Sequence, residues 1–248
     1  MSSSDKHLQA SLTSLAERIR VAAAQAGRAP ASVTVVAVSK TFAAEAVVAL
    51  ARCGQSHFGE NYVQEALAKM ADVRAAAPEL RLVWHFIGPI QSNKTKPIAE
   101  NFDWVQSVDR LKIAQRLSEQ RPPRLPPLNV LLQVNISGEA SKSGVAPGEL
   151  AELAKAVASL PRLRLRGLMA IPEPDGDPER QRRPLAAMRR LFDEQRAAGF
   201  ADWDTLSMGM SADLEAAIAE GSTMVRVGTA LFGARAKSND PASPGVAP

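Results

Sequence analysis

A single lysine closes an apolar, β-branched run near the N-terminus: Val33-Thr34-Val35-Val36-Ala37-Val38-Ser39-Lys40. An amine at the rim of an apolar strand is desolvated, which lowers its pKa and raises its neutral, nucleophilic fraction. Such an amine can form a Schiff base with an aldehyde. Two segments far along the chain, Leu206-Ser207-Met208-Gly209-Met210-Ser211 and Met224-Val225-Arg226-Val227-Gly228-Thr229-Ala230, end in hydroxyls and glycines. Turns of that kind cradle a phosphate with backbone N–H groups. Ser207, Gly228 and Thr229 are the candidates. An aldehyde that also carries a phosphate describes pyridoxal 5′-phosphate (PLP), attached covalently to Lys40. Taken singly, each feature has a plainer reading: a solvated lysine, or ordinary Ser/Gly/Thr turn chemistry.

Arg226 alternates with Val225 and Val227, so it faces the opposite side of its strand. If the valines face helices, the arginine points inward and needs an acceptor or an anion. A pyridine nitrogen would serve, and so would a structural ion pair with a buried carboxylate. His85, in Val83-Trp84-His85-Phe86-Ile87, either stacks or donates near a cofactor or is a hydrogen-bonded core histidine. With three histidines and one cysteine, Cys53, there is no zinc-ligand spacing. No Gly-x-x-x-x-Gly-Lys-Ser/Thr or Gly-x-Gly-x-x-Gly segment supports a P-loop or a dinucleotide site.

The elements that must position these residues alternate. Strands are predicted at about 33–39, 56–59, 82–87, 103–107, 128–135, 164–170, 203–207 and 223–227. Helical patterns fill 43–53, 61–77, 93–100, 110–119, 147–160, 179–198 and 212–220, with a further helix at 6–26 covering the barrel bottom or side. Eight strand–helix alternations predict the α/β class with a parallel sheet, and eight strands close a (β/α)8 TIM barrel. Its functional residues would sit at the C-terminal strand ends, with phosphate held after strands 7 and 8. Asp109 is read as an N-cap, Ser211 as the opening of a helix, and Gly199 and Gly221 as helix stops. Pro184 interrupts a basic helix, and 121–127 is a rigid surface connector. Residues 1–236 are assigned to one barrel and 237–248 to a disordered tail.

Composition agrees. The chain has 248 residues, and such barrels run to about 250 as one unit. Hydrophobic residues make up 46%, enough for a large core. No apolar run reaches membrane-span length, the first residues lack a signal-peptide core, and one cysteine allows no intrachain disulfide. A cytoplasmic protein fits. The net charge of +4 is spread out and lacks aromatic interleaving, which argues against nucleic-acid binding.

The sequence also resembles the YggS-type PLP homeostasis proteins, or proline-synthetase co-transcribed homologues. The resemblance rests on Val36–Lys40, Phe58–Tyr62, Trp84–Lys94, Val134–Ser137, Ser141–Gly144, Gly167–Pro172 and Ser207 through Gly233. It implies a barrel like the N-terminal domain of alanine racemase, without the racemase C-terminal β-domain. By that resemblance Lys40 carries the internal aldimine and Asn61 lies near the ring. Ser207, Gly228 and Thr229 hold the phosphate, and Arg226 faces the pyridine nitrogen. Lys142 matches a second family lysine. The implied function is PLP homeostasis: holding PLP and releasing it, with PLP-dependent apo-enzymes as recipients and a monomer as the working form. A low-turnover racemase-like enzyme is the alternative, and a phosphate-binding barrel of sugar or indole metabolism is a third reading. Against strong catalysis stand an arginine that keeps the ring nitrogen unprotonated and a single tyrosine, Tyr62.

Overall fold

The apolar, β-branched runs form strands and the alanine-rich stretches between them form helices. The computed structural model describes residues 3–138, 143–173 and 175–233. The strands are β1 (Thr34–Val38), β2 (His57–Glu60), β3 (Val83–Phe86), β4 (Trp104–Val108), β5 (Leu128–Gln133), β6 (Leu163–Met169), β7 (Thr205–Ser207) and β8 (Met224–Val227). The helices are α1 (Ser3–Gln25), α2 (Ala44–Arg52), α3 (Val63–Ala76), α4 (Thr95–Asn101), α5 (Leu111–Gln120), α6 (Leu150–Ala158), α7 (Pro178–Ala197), α8 (Leu214–Ala219) and the single turn α9 (Thr229–Phe232). All eight strands pair in sequence order, and β1 closes on β8 in parallel, with Val36 opposite Arg226. The result is a closed (β/α)8 barrel.

Strand alternation sorts the apolar residues into two cores. One set fills the barrel interior: Val36, Trp104, Leu131, Met169 and Met224. Their chain neighbours, among them Ala37, Val105, Leu132, Leu168 and Val225, turn outward into the larger layer between sheet and helices. Fully burying one such side chain stabilises by about 1.5–3 kcal/mol. Helix α1 buries Leu8, Leu15, Ile19 and Ala22, a helical spacing, against α2, α8 and α9. It therefore covers the barrel's side, at the β8–β1 seam. Arg18 ties it to Glu215 on α8 at 2.7 Å.

Several boundaries differ from the sequence expectation. Asp109 is not the N-cap of α5: Arg110 holds that position, and the Asp109 carboxylate pairs with Arg110. α8 begins at Leu214 rather than near Ser211, because Asp213 turns back to accept the Met210 N–H at 2.6 Å. α7 runs through Pro184 without a break. The ring removes one N–H donor, which a helix this long absorbs, and Asp177 caps its start by accepting from the Glu179 N–H. The connector at 121–127 is not wholly surface. Arg121 is buried and donates to the carbonyls of Ala99, Phe102 and Pro126. Gly199 and Gly221 follow α7 and α8 with positive φ, as helix stops do. Lys142 and the segment 237–248 lie outside the described residues.

Candidate functional site

Alternation along β1 fixes the side on which Lys40 falls. Val36 and Val38 face the barrel interior and Ala37 and Ser39 the helix layer, and Lys40, two residues past the end of β1, keeps the interior parity at the mouth. It is half-buried. Next to it, Thr41 has φ +68°, the left-handed region. For a β-branched residue that conformation costs about 1–3 kcal/mol and persists only when its surroundings enforce it. The enforcing groups are on α3. The Thr41 N–H donates to Glu65 Oε1 at 2.7 Å. On the other side of Lys40, the Ser39 carbonyl accepts from Lys69 Nζ at 2.7 Å. Lys69, 5% exposed, also reaches Glu60 Oε1 at 2.7 Å and Glu65 Oε1 at 3.1 Å. Ser39 Oγ donates to the same Glu60 oxygen at 2.6 Å. Burial pushes the Glu60 carboxyl upward, while hydrogen bonds from Lys69 and Ser39 pull it back.

Asn61 follows β2 on the interior parity of His57 and Gly59. Its Oδ1 is buried without a hydrogen-bond partner. Such an orphan acceptor is unfavourable unless something supplies a donor. The backbone here is tightly seated. A Cβ on Gly88, after β3, would lie 2.4 Å from the Asn61 carbonyl oxygen, so only glycine permits the approach.

Arg226 does point inward. It is 4% exposed, and its guanidinium donates to Ser207 Oγ at 2.6 Å and to the Ala170 carbonyl at 2.8 Å. No carboxylate among the described residues forms a direct ion pair with it, and the Asp213 charge acts on it only through space. Burial pushes its pKa down to about 10, which leaves it charged at neutral pH. Ser207 is fully buried, and its hydroxyl is bonded on both sides inside the barrel. It accepts from Arg226 and donates to Gln106 Oε1 at 2.7 Å. Gly228 and Thr229 form the entry to α9, with Thr229 exposed at the mouth.

His85 is a hydrogen-bonded core histidine. It lies at 2.9 Å from Gln106 Nε2 through Nδ1 and at 2.9 Å from His57 Nδ1 through Nε2, and it stacks on Trp104. The donors are fixed by elimination. Arg226 only donates, so the Ser207 proton goes to the Gln106 carbonyl. The Gln106 amide then donates to His85 Nδ1, which leaves the His85 proton on Nε2, facing His57. The whole row, Arg226–Ser207–Gln106–His85–His57, is polarised one way. A proton on His85 Nδ1 would face an N–H donor. Burial accordingly holds His85 well below the usual imidazole range and lowers His57 as well.

A cavity of about 330 Å³ opens on the opposite side of the mouth, lined by Ile87, Pro89, Asn135, Ile136, Ile171 and Met210 among others. Among the described residues no group of three or more His, Cys, Asp or Glu could hold a metal. No helix among them is long and apolar enough to cross a membrane.

The comparisons with known proteins give this geometry a family. The sequence profile of the alanine racemase N-terminal domain matches residues 10–236. The pyridoxal phosphate homeostasis protein of Pseudomonas aeruginosa is 62% identical over 224 residues, covering 90% of this chain and 94% of that protein. Its namesake from Escherichia coli K12 is 54% identical over 224 residues, covering 90% and 95%. This chain belongs to the pyridoxal phosphate homeostasis protein family. Among solved structures, PipY of Synechococcus elongatus with PLP bound is 36% identical, with a TM-score of 0.76 over 88% of this chain and 99% of that one. An alanine racemase from Clostridium difficile shares the fold at 15% identity. Its TM-score is 0.71, over 94% of this chain but 58% of that one. The homeostasis family therefore has the barrel of the racemase, and no β-domain follows it among the described residues.

Sequence reasoning passed over Gln106, Glu65 and Lys69, and gave Glu60, at the end of β2, no role of its own. Gln106 gives no sequence signal beyond its inward parity on β4. Glu65 and Lys69 are spaced i,i+4 on a helix, which reads as an ordinary surface pair.

Proposed function

We propose that this chain binds PLP at the barrel mouth, holds it as a Schiff base on Lys40 and releases it intact, acting as a carrier that keeps the free aldehyde low. The observation that carries this reading is the relation between Lys40 and Arg226. Lys40 follows β1 and Arg226 lies on β8, the two strands that close the barrel: an amine just past one strand end and, deeper in, a guanidinium bonded to Ser207 and the Ala170 carbonyl. The donor set fits the cofactor. Asn61 Oδ1 is an orphaned acceptor just past β2, and the Gly228–Thr229 turn follows β8. When bound, PLP supplies an aldehyde for the lysine and a ring that can draw electrons from an attached amino acid.

In this reading Lys40 holds the aldehyde carbon, Asn61 lies at the ring, and the Gly228 and Thr229 N–H groups meet the phosphate. Ser207 acts by orienting Arg226, because its hydroxyl already has both partners. Arg226 donates to the ring nitrogen. A charged guanidinium has no proton to give up at neutral pH, so the nitrogen stays unprotonated and the ring is a weak electron sink. Tyr62, the one tyrosine, is 61% exposed, which does not suit a sequestered catalytic base. Both points favour carrying over catalysis, with cytoplasmic PLP-dependent apo-enzymes as recipients.

The test is borohydride reduction of the purified protein after adding PLP, with the modified peptide located by mass spectrometry. A pyridoxyl group on Lys40, absent in Lys40→Ala, is the expected result. Modification elsewhere, or none, would sink the assignment. Rapid exchange of amino-acid α-hydrogens in deuterated water would favour the racemase-like alternative.

A further inference from the structure

We infer that Glu65 and Lys69, on α3, are positioning residues that hold the backbone on both sides of Lys40 and so aim its amine into the barrel. The inference rests on the Lys40 reading above. Neither residue faces the barrel interior, so neither touches the cofactor. What they touch is the peptide either side of the lysine. Lys69 Nζ binds the Ser39 carbonyl and Glu65 Oε1 binds the Thr41 N–H, each at 2.7 Å. Glu65 and Lys69 also bind each other at 3.1 Å, so the two anchors form one unit. Glu60 locks that unit from below, through Lys69 and through the Ser39 hydroxyl.

The strain at Thr41 gives the clamp its purpose. With φ +68°, Thr41 turns the chain sharply as β1 ends. Without an enforcing contact a threonine relaxes to negative φ, which would redirect the chain after Lys40 and release the Lys40–Thr41 peptide whose N–H Glu65 holds. Covalent capture joins the neutral amine nitrogen to the aldehyde carbon and releases the oxygen, with the two amine protons, as water. That step needs the amine within reach of a carbonyl whose phosphate and ring are held elsewhere, so its rate depends on where Lys40 points. Lys69 has three acceptors of its own and faces away from the mouth, which makes it an anchor and not a second capture site.

The experiment uses the full-length apo protein and two readouts. Hydrogen–deuterium exchange of the peptide containing Thr41 reports the clamp without any cofactor. Stopped-flow absorbance after adding PLP reports capture. Glu65→Ala is expected to raise exchange at Thr41 and to slow capture by roughly tenfold or more. Glu65→Gln keeps an acceptor oxygen and is expected to stay near wild type in both. Thr41→Gly in the Glu65→Ala background is expected to recover most of the capture rate, because glycine adopts positive φ unaided. Affinity for 4-deoxypyridoxine 5′-phosphate, which has the ring and phosphate but no aldehyde, is expected to hold in every variant. Wild-type capture and exchange in Glu65→Ala would overturn the inference, as would a parallel loss of affinity for the aldehyde-free analogue. Should borohydride fix PLP to another lysine, the Lys40 reading falls, and exchange in the apo protein still decides whether the clamp exists.

Discussion

At the residue scale, the barrel interior is organised around protons. Arg226 is a fixed donor, and every group along the row from Ser207 to His57 takes its orientation from that fact. The row requires neutral imidazoles. The consequence for stability has a definite sign. His85 binds a proton in the unfolded chain near pH 6.5 but resists it in the fold, where burial and the neighbouring His57 lower its pKa. Below about pH 6.5 the unfolded state therefore holds more protons. The His85 contribution is fully present above that pH and is lost as pH falls toward the folded value. Thermal melts between pH 7.5 and 5 should show the midpoint falling on acidification, and His85→Gln should flatten that dependence. An unchanged slope in the variant would remove His85 from the account.

At the element scale, α3 and β2 work as one part. α3 carries Lys69 into the layer between sheet and helix, where it meets Glu60 at the end of β2. A buried pair of this kind gains little net stability, but breaking it leaves one charge unpaired. Lys69→Met should cost about 3–5 kcal/mol, read from chemical denaturation. Glu60→Gln/Lys69→Met should recover a large share, since the remaining amide is neutral. A double variant no better than the single one would show that Lys69 matters for its shape, not its charge. The strands themselves were legible from sequence because β-branched runs and alanine-rich helices differ sharply in pattern. Helix starts were less so. Asp109 and Asp213 are both plausible caps, and only the local turn shows that Asp109 pairs with the Arg110 guanidinium while Asp213 accepts the Met210 N–H.

At the scale of the whole molecule, closure does the decisive work. β1 and β8 are separated by most of the chain, yet they pair directly and set Lys40, just past β1, beside the strand that carries Arg226. Among the described residues the exposed large hydrophobics are Val21 on α1, with Tyr62 and Ile171 beside the mouth. These are scattered, whereas a stable dimer buries about 800 Å² on each partner. The protein is accordingly expected to be a monomer. Light scattering at micromolar concentration should give the mass of one chain, and the mass of two would point to an interface formed by the mouth residues.

The sequence by itself determined the periodicities and therefore the class. Eight strands alternating with helices, an inward Arg226 and a lysine ending β1 all follow from strand parity and local apolar pattern, which are short-range properties. Which polar side chains meet was decided only by the tertiary structure. Ser207 reads as a turn hydroxyl, but closing the barrel sets it between Gln106 and Arg226, from strands far apart in the chain. Glu65 and Lys69 read as a solvated helical pair, but packing α3 on β1 and β2 turns them towards the peptide on either side of Lys40. The physical reason is the same in both cases. A buried polar group must find a partner, and its partner is whatever the fold brings within about 3 Å, a distance that no spacing along the chain encodes.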